Sequence, residues 1–320
     1  MERSFIKGTG TGNLSQAKLR SRLRWLWRDR HLYFMLIPVI LFYLIFCYAP
    51  MGGLVIAFKD FRFNLGIDGS PWVGFKYFDQ LFNMSAFWTA FRNTLLLNVY
   101  SLIVGFPVPI ILAILFNEIG NLRYKRVLQQ VIYLPHFFSW VILGGMIVNI
   151  LSPNTGFVNS LLSSLTGQSI YFMTSEAWWP WVFVLSGIWK EAGWGTIIYL
   201  AAITGIDPEM YEAAILDGAG KWKQIRYITL PSIMPTILIM LILRMGSMMT
   251  IGFEQVYVLQ NGAVRKVSDV ISTLVYRIGI EGAQYSLTTA IGIFQSVIAV
   301  VLVLTANKLA NRFQEGGGIF

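Results

Sequence analysis

Residues 211–231, YEAAILDGAGKWKQIRYITLP, decide how the rest of the chain is read. The stretch is polar and charged, yet long apolar runs lie on both sides of it. Asp207-Pro208-Glu209 just ahead of it reads as a helix start. Asp207 is the N-cap, Pro208 takes the first helical position, where its missing N–H matters least, and an acid falls in the first turn. Gly218 supplies a stop and Gly220 a second flexible point. Residues 221–227 then have room for another short turn of helix, and Pro231 opens the next apolar run. The reading is two short helices, bent at Gly218 and held outside a membrane.

Composition agrees with a membrane setting. Hydrophobic side chains make up 55% of the chain and charged ones 13%, about half the charged share of a soluble domain. The net charge of +9 fits the positive-inside rule better than nucleic-acid binding. Cys47 is the single cysteine and lies in an apolar run, which excludes an intrachain disulfide and a thiolate metal cluster. His31 and His136 are far apart and read as interfacial residues, so no metal site is expected. No GxxxxGK[ST] string occurs, so energy must come from a partner or an ion gradient.

Working outward, residues 32–58 carry no charge, more than the roughly 20 residues that span a bilayer. Spans are predicted at about 33–57, 93–117, 127–151, 181–203, 236–258 and 287–306, with the polar loop at 207–231. Pro107 and Pro109 should kink the second of these. Residues 58–90 interleave aromatics with charges and read as holding an interfacial helix on the outer side. Residues 1–31 form a basic tail, too long and charged for a signal peptide, with a short amphipathic helix at 20–30; residues 311–320 form a second tail. With both termini in the cytoplasm, sixteen Lys and Arg fall on the inner segments and seven on the outer ones. That orientation also places residues 207–231 on the cytoplasmic side.

Glu212-Ala213-Ala214, Gly218, Ile228, Leu230 and Pro231 resemble, at matching spacing, the EAA loop of binding-protein-dependent ABC importer permeases. The likeness covers roughly residues 32–310 and includes LPHFFSW, NTGFVN, WKEAGWGTIIYLAAITGIDPEMYEAA and GFEQVYVL. It is nearest to the sugar and polysaccharide branch, which includes lipoprotein-linked and alginate-importer permeases. The resemblance implies an all-α polytopic fold of type I ABC importer permease kind. It implies a heterodimer with a second permease, two ATPase subunits carrying the ATP and magnesium, and an extracellular solute-binding protein, all in the cell membrane. No cofactor is then bound by this chain, and it has no catalytic residues. Glu212, Ala213, Ala214, Asp217, Gly218, Ile228, Leu230 and Pro231 would couple to the ATPase. The extended basic N-terminus departs from the family pattern.

Ionisable residues within spans are functional candidates by default. Lys190 and Arg244 both come out near the midplane on the predicted spans. Glu191 is expected to pair with Arg244, leaving Lys190 to face the cavity or a partner subunit. Sugars are gripped by aromatic faces and directed hydrogen bonds, which makes Trp140, Trp189, Trp194, Tyr199, Glu254, Gln255 and Tyr257 candidate pathway residues beside those three. The expected function is the permease half of an ATP-driven oligosaccharide or polysaccharide importer. An importer permease for another solute fits the same loop. A secondary transporter would need an ion-coupling site and inverted repeats, and neither is found.

Overall fold

A computed structural model describes residues 30–313. Residues 1–29 and 314–320, which hold nearly all of the two expected tails and the amphipathic segment, lie outside the described residues. Within them the fold is helical, with isolated β-bridges and no sheet.

The main helices are α1 (Arg30–Phe58), α2 (Lys76–Phe82), α3 (Ser85–Glu118), α4 (Leu122–Phe137), α5 (Trp140–Ile150) and α6 (Phe157–Thr166). They continue as α7 (Trp179–Thr204), α8 (Pro208–Leu216), α9 (Lys221–Gly246), α10 (Phe253–Leu259), α11 (Ile271–Val275) and α12 (Tyr285–Phe313). By length and composition, α1, α3, α9 and α12 each suffice to cross a membrane, and α4 with α5 would do so as a pair. Helix α7 has 26 residues, about 39 Å, with Lys190 and Glu191 near its middle.

Prolines shape three of the long helices. Helices α1, α3 and α9 widen into π-helical turns at Tyr43–Tyr48, Ser101–Gly105 and Ile225–Thr229. Each turn ends two residues before a proline, at Pro50, Pro107 and Pro231. A proline ring has no N–H to give the preceding turn and clashes with its carbonyl, and a wider turn relieves both problems without ending the helix.

Two predicted spans need correction. Residues 127–151 are not one helix: α4 and α5 meet at 104°, with Phe138 extended at the break and Ser139 capping α5 through its Oγ. Residues 236–258 are not one helix either. Helix α9 ends at Gly246, residues 247–252 are irregular, and α10 is separate. In compensation α9 starts earlier than expected, so residues 221–224 are its first turn rather than a free second helix.

Helix α7 is the axis of packing. Its first half (Trp179, Phe183) is buried with Val256 and Leu259 of α10, and its last turns (Tyr199, Ile203) with Ala113 of α3 and Ile233 of α9. Helix α4 crosses it so closely at Gly193 that a Cβ there would sit 2.3 Å from the Ile132 carbonyl oxygen. A further cluster (Leu81, Phe87, Ile271, Leu274, Leu287, Ile291) ties α2 and α3 to α11 and α12. Beside it, the Ser286 hydroxyl donates to the Lys59 carbonyl at 2.6 Å and accepts from the Phe61 N–H at 3.0 Å. In the same loop the Tyr77 hydroxyl donates to Asp60, which holds that carboxyl below its ordinary value of 3.8. Burial, and then that same bond, push the Tyr77 phenol up.

Candidate functional site

Two regions carry the residues singled out by sequence: a helical hairpin at α8 and a cavity beside α7. In the hairpin, the Asp207 carboxylate accepts from the Glu209 N–H at 3.0 Å, and Pro208 follows at the first helical position. Gly218 ends α8 with φ of +73°, a conformation that costs other residues. Its N–H donates to Ile215 at 3.0 Å, and that of Ala219 to Ala214 at 2.8 Å. Those are the two bonds of a Schellman stop.

The hairpin is fastened to the body by its own side chains. The hydroxyls of Tyr211 and Thr229 are 2.9 Å apart, Gln224 donates to the Ala219 carbonyl at 2.9 Å, and Lys221 pairs with Glu118 of α3 at 3.0 Å. Ala214, Ile228 and Leu230 are half-buried at this junction, while Glu212, Ala213, Asp217, Gly218 and Pro231 are exposed. Leu216 is 88% exposed and Trp222 75%, so the hairpin shows water a mixed acidic and apolar face. Pro231 stands at the start of the regular α-helical run of α9, just after its π-helical turn, as the sequence reading has it opening the apolar run.

The cavity has a volume of about 480 Å³ and lies among α3, α5, α7 and α9. Trp140, Glu191, Trp194, Tyr199, Arg244 and Gln255 all line it. Trp189, Lys190, Glu254 and Tyr257 do not. Trp189 and Glu254 are exposed elsewhere, and Tyr257 stacks on Phe253 with ring centroids 4.9 Å apart. Gln255 is tied back, its amide donating to the Phe183 carbonyl at 2.7 Å.

Lys190 is the clearest correction. It is 8% exposed, and its Nζ donates to the carbonyls of His136 and Phe138 at 2.7 and 2.6 Å. The ammonium also lies 5.6 Å from the Trp140 ring. It holds the break between α4 and α5, where the backbone leaves carbonyls without helical partners. The expected Glu191–Arg244 pair makes no close ion pair among the described residues, although the two charges still favour each other across the cavity wall. Glu191 instead takes a bond from Nδ1 of His136 at 2.9 Å, and the His136 ring stacks on Trp194, 4.5 Å away and 3° from parallel. The break at 247–252 is held likewise: Asn98 donates to the Met248 carbonyl at 2.8 Å and Gln295 to that of Met249 at 2.9 Å. Sequence reasoning read His136 as an interfacial residue and passed over Asn98 and Gln295. The available signal was a polar side chain in an otherwise apolar helical run. Among the described residues no cluster of three or more His, Cys, Asp or Glu side chains could hold a metal.

A bundle of apolar helices around a partly polar cavity, with an exposed helical hairpin, is an arrangement suited to a membrane transport component. The chain belongs to the family described as binding-protein-dependent transport system inner membrane component, whose pattern matches residues 8–315. It is 47% identical over 290 residues to Protein LplB of Bacillus subtilis (strain 168), an alignment covering 91% of each chain. It is 44% identical to the polygalacturonan/rhamnogalacturonan transport system permease protein YteP of the same organism, over 91% of this chain and 90% of that one. The fold matches a chain in the crystal structure of a bacterial ABC transporter involved in the import of the acidic polysaccharide alginate. The TM-score is 0.84 at 44% identity, over 92% of this chain and all of the other. A second structure of a bacterial alginate ABC transporter, in complex with alginate pentasaccharide-bound periplasmic protein, matches with a TM-score of 0.83. The chain is therefore an ABC importer permease of type I fold.

Proposed function

We propose that this chain forms half of the translocation pathway of an ATP-driven, binding-protein-dependent importer of oligosaccharides or polysaccharides. The observation that carries the reading is the cavity: the aromatic rings of Trp140 and Trp194 stand among polar groups, in a chain that matches polysaccharide permeases over about nine-tenths of its length. Flat aromatic faces suit the C–H faces of sugar rings, and polar edges suit their hydroxyls.

A second, similar permease completes the pathway. The exposed α1, unburied through its most apolar stretch, offers that partner or lipid a long contact surface. Two ATPase subunits, which bind the ATP and magnesium, dock on the α8 hairpin from the cytoplasm, and an extracellular binding protein delivers the sugar. Both termini are cytoplasmic.

Helix α9 supports the coupling role. It runs unbroken from Lys221, at the hairpin, to Gly246, with Met240 and Arg244 on the cavity wall. Lys221 and Arg244 are about 35 Å apart along the axis. A push on the hairpin therefore moves one wall of the cavity without passing through a loop.

The test is reconstitution with the neighbouring permease, the ATPases and the binding protein in proteoliposomes. Uptake and ATPase stimulation by saccharide-loaded binding protein are expected. Stimulation by no saccharide, with another solute effective, would defeat the sugar assignment.

A further inference from the structure

We propose that Arg244 is the specificity-determining residue of the cavity and takes the carboxylate of an acidic sugar unit. The inference deepens the sugar-importer reading and rests on it. Glu191 and Arg244 are the two lining side chains with full charges, and they are not equally available. Glu191 accepts a bond from His136, whose ring is clamped flat against Trp194. An ionised carboxylate can only accept, so the Nδ1 of His136 must carry the proton whatever the charge of the ring.

Arg244 has no such hydrogen-bonded partner. Among the described residues it makes no ion pair, and the bond recorded to it is from the Ser247 hydroxyl to its backbone carbonyl. Lys190, the other cation of this level, is turned away and occupied by two carbonyls. Glu191 lies near enough for its charge to favour that of Arg244, yet its hydrogen bond goes to His136, so the guanidinium donors of Arg244 are left for a ligand. A guanidinium offers a carboxylate two parallel N–H donors, and a neutral sugar hydroxyl cannot use both. Trp194, half-exposed on α7 and lining the same cavity, gives the sugar ring an aromatic surface while its carboxylate reaches Arg244.

The experiment uses the complete complex in proteoliposomes and a galacturonate oligosaccharide, beside the same oligosaccharide with its carboxyl groups reduced to alcohols. Uptake of both is measured for the wild type, Arg244→Lys and Arg244→Gln. The binding protein is identical in every arm, so its own preference cancels when the acidic-to-reduced ratio of a variant is divided by that of the wild type. The expected result is a roughly 10- to 100-fold fall in that ratio for Arg244→Gln and a smaller fall for Arg244→Lys, which keeps the charge and loses the paired donors. A parallel loss of both substrates in Arg244→Gln, with the ratio unchanged, would show a structural role and overturn the proposal. An acidic-to-reduced ratio unchanged between wild type and Arg244→Gln, with uptake of both sugars intact, would overturn it too while leaving the sugar reading standing. Uptake of no saccharide would bring down both.

Discussion

Replacing Lys190 by methionine keeps an unbranched side chain, one atom shorter, and removes every donor. Two carbonyls, His136 and Phe138, then lose bonds of 2.7 and 2.6 Å at a break where no helical N–H can replace them. A hydrogen bond from a charged group contributes about 1.5–3 kcal/mol, which puts the two together at about 3–6 kcal/mol. Two effects pull the figure down: water from the adjoining cavity can reach a freed carbonyl, and side-chain bonds measured in a bilayer average only about 0.6 kcal/mol. The second applies weakly here, because the acceptors are backbone groups fixed at a helix break. We expect a loss of about 3 kcal/mol, which at roughly 2 °C per kcal/mol is a fall of about 6 °C in melting temperature. The assay is thermal unfolding of the purified complex in detergent, with Trp189→Phe at the exposed neighbouring position as control. The control should stay within about 0.5 kcal/mol of wild type. Transport should fall as well, since Trp140 and Trp194 are placed by the same break. A Lys190→Met complex that melts within about 1 °C of wild type would refute the pinning argument.

Other expectations follow from the same geometry. Gly193→Ala forces α4 off α7 and should cost about 1–3 kcal/mol in unfolding experiments, whereas Gly145→Ala, with nothing within 4 Å, should be neutral; equal effects would contradict the close crossing. Gly218→Pro or Glu212→Lys should leave membrane insertion intact and uncouple ATP hydrolysis from uptake, because both alter the exposed hairpin and not the cavity; unchanged uptake in both would argue against docking there. Tyr77→Phe should lower stability at pH 7 and change it less in acid. Asp60 has its folded value depressed, so its contribution is present above 3.8 and disappears as pH falls through the lower folded value, where the two proteins should melt alike.

What could be read from the sequence depended on how local its cause was. Asp207, Pro208 and Gly218 set the ends of α8 through their own backbone chemistry, and the structure places each in the role their types dictate. The unbroken apolar runs at α1 and α12 were legible because lipid or protein must surround them. The break at 247–252 was not, because residues buried in protein are as apolar as residues facing lipid, and hydropathy counts both alike. The break at Phe138 did leave a trace, since Pro135 and Ser139 are end signals on either side of it, but the apolar run masked them. The direction of Lys190 was beyond a single sequence. Its depth in the helix could be counted, yet which backbone lies against it depends on how α4 crosses α7 at Gly193.

That crossing also explains why charges inside this bundle are poor guides to substrate until their partners are known. Irregular backbone at membrane depth survives only where its polar groups are satisfied by protein or a wet cavity. Here both breaks border the cavity, and each is held by side chains from neighbouring helices: Lys190 at one, Asn98 and Gln295 at the other. A polar residue in a span therefore has two competing employments, backbone or cargo, and hydrogen bonding separates them. Lys190 and Gln255 are held by carbonyls and Glu191 by His136. Arg244 is the cavity charge left without such a bond, and for that reason its substitution should change which sugars pass while substitution of Lys190 should change whether the wall stands.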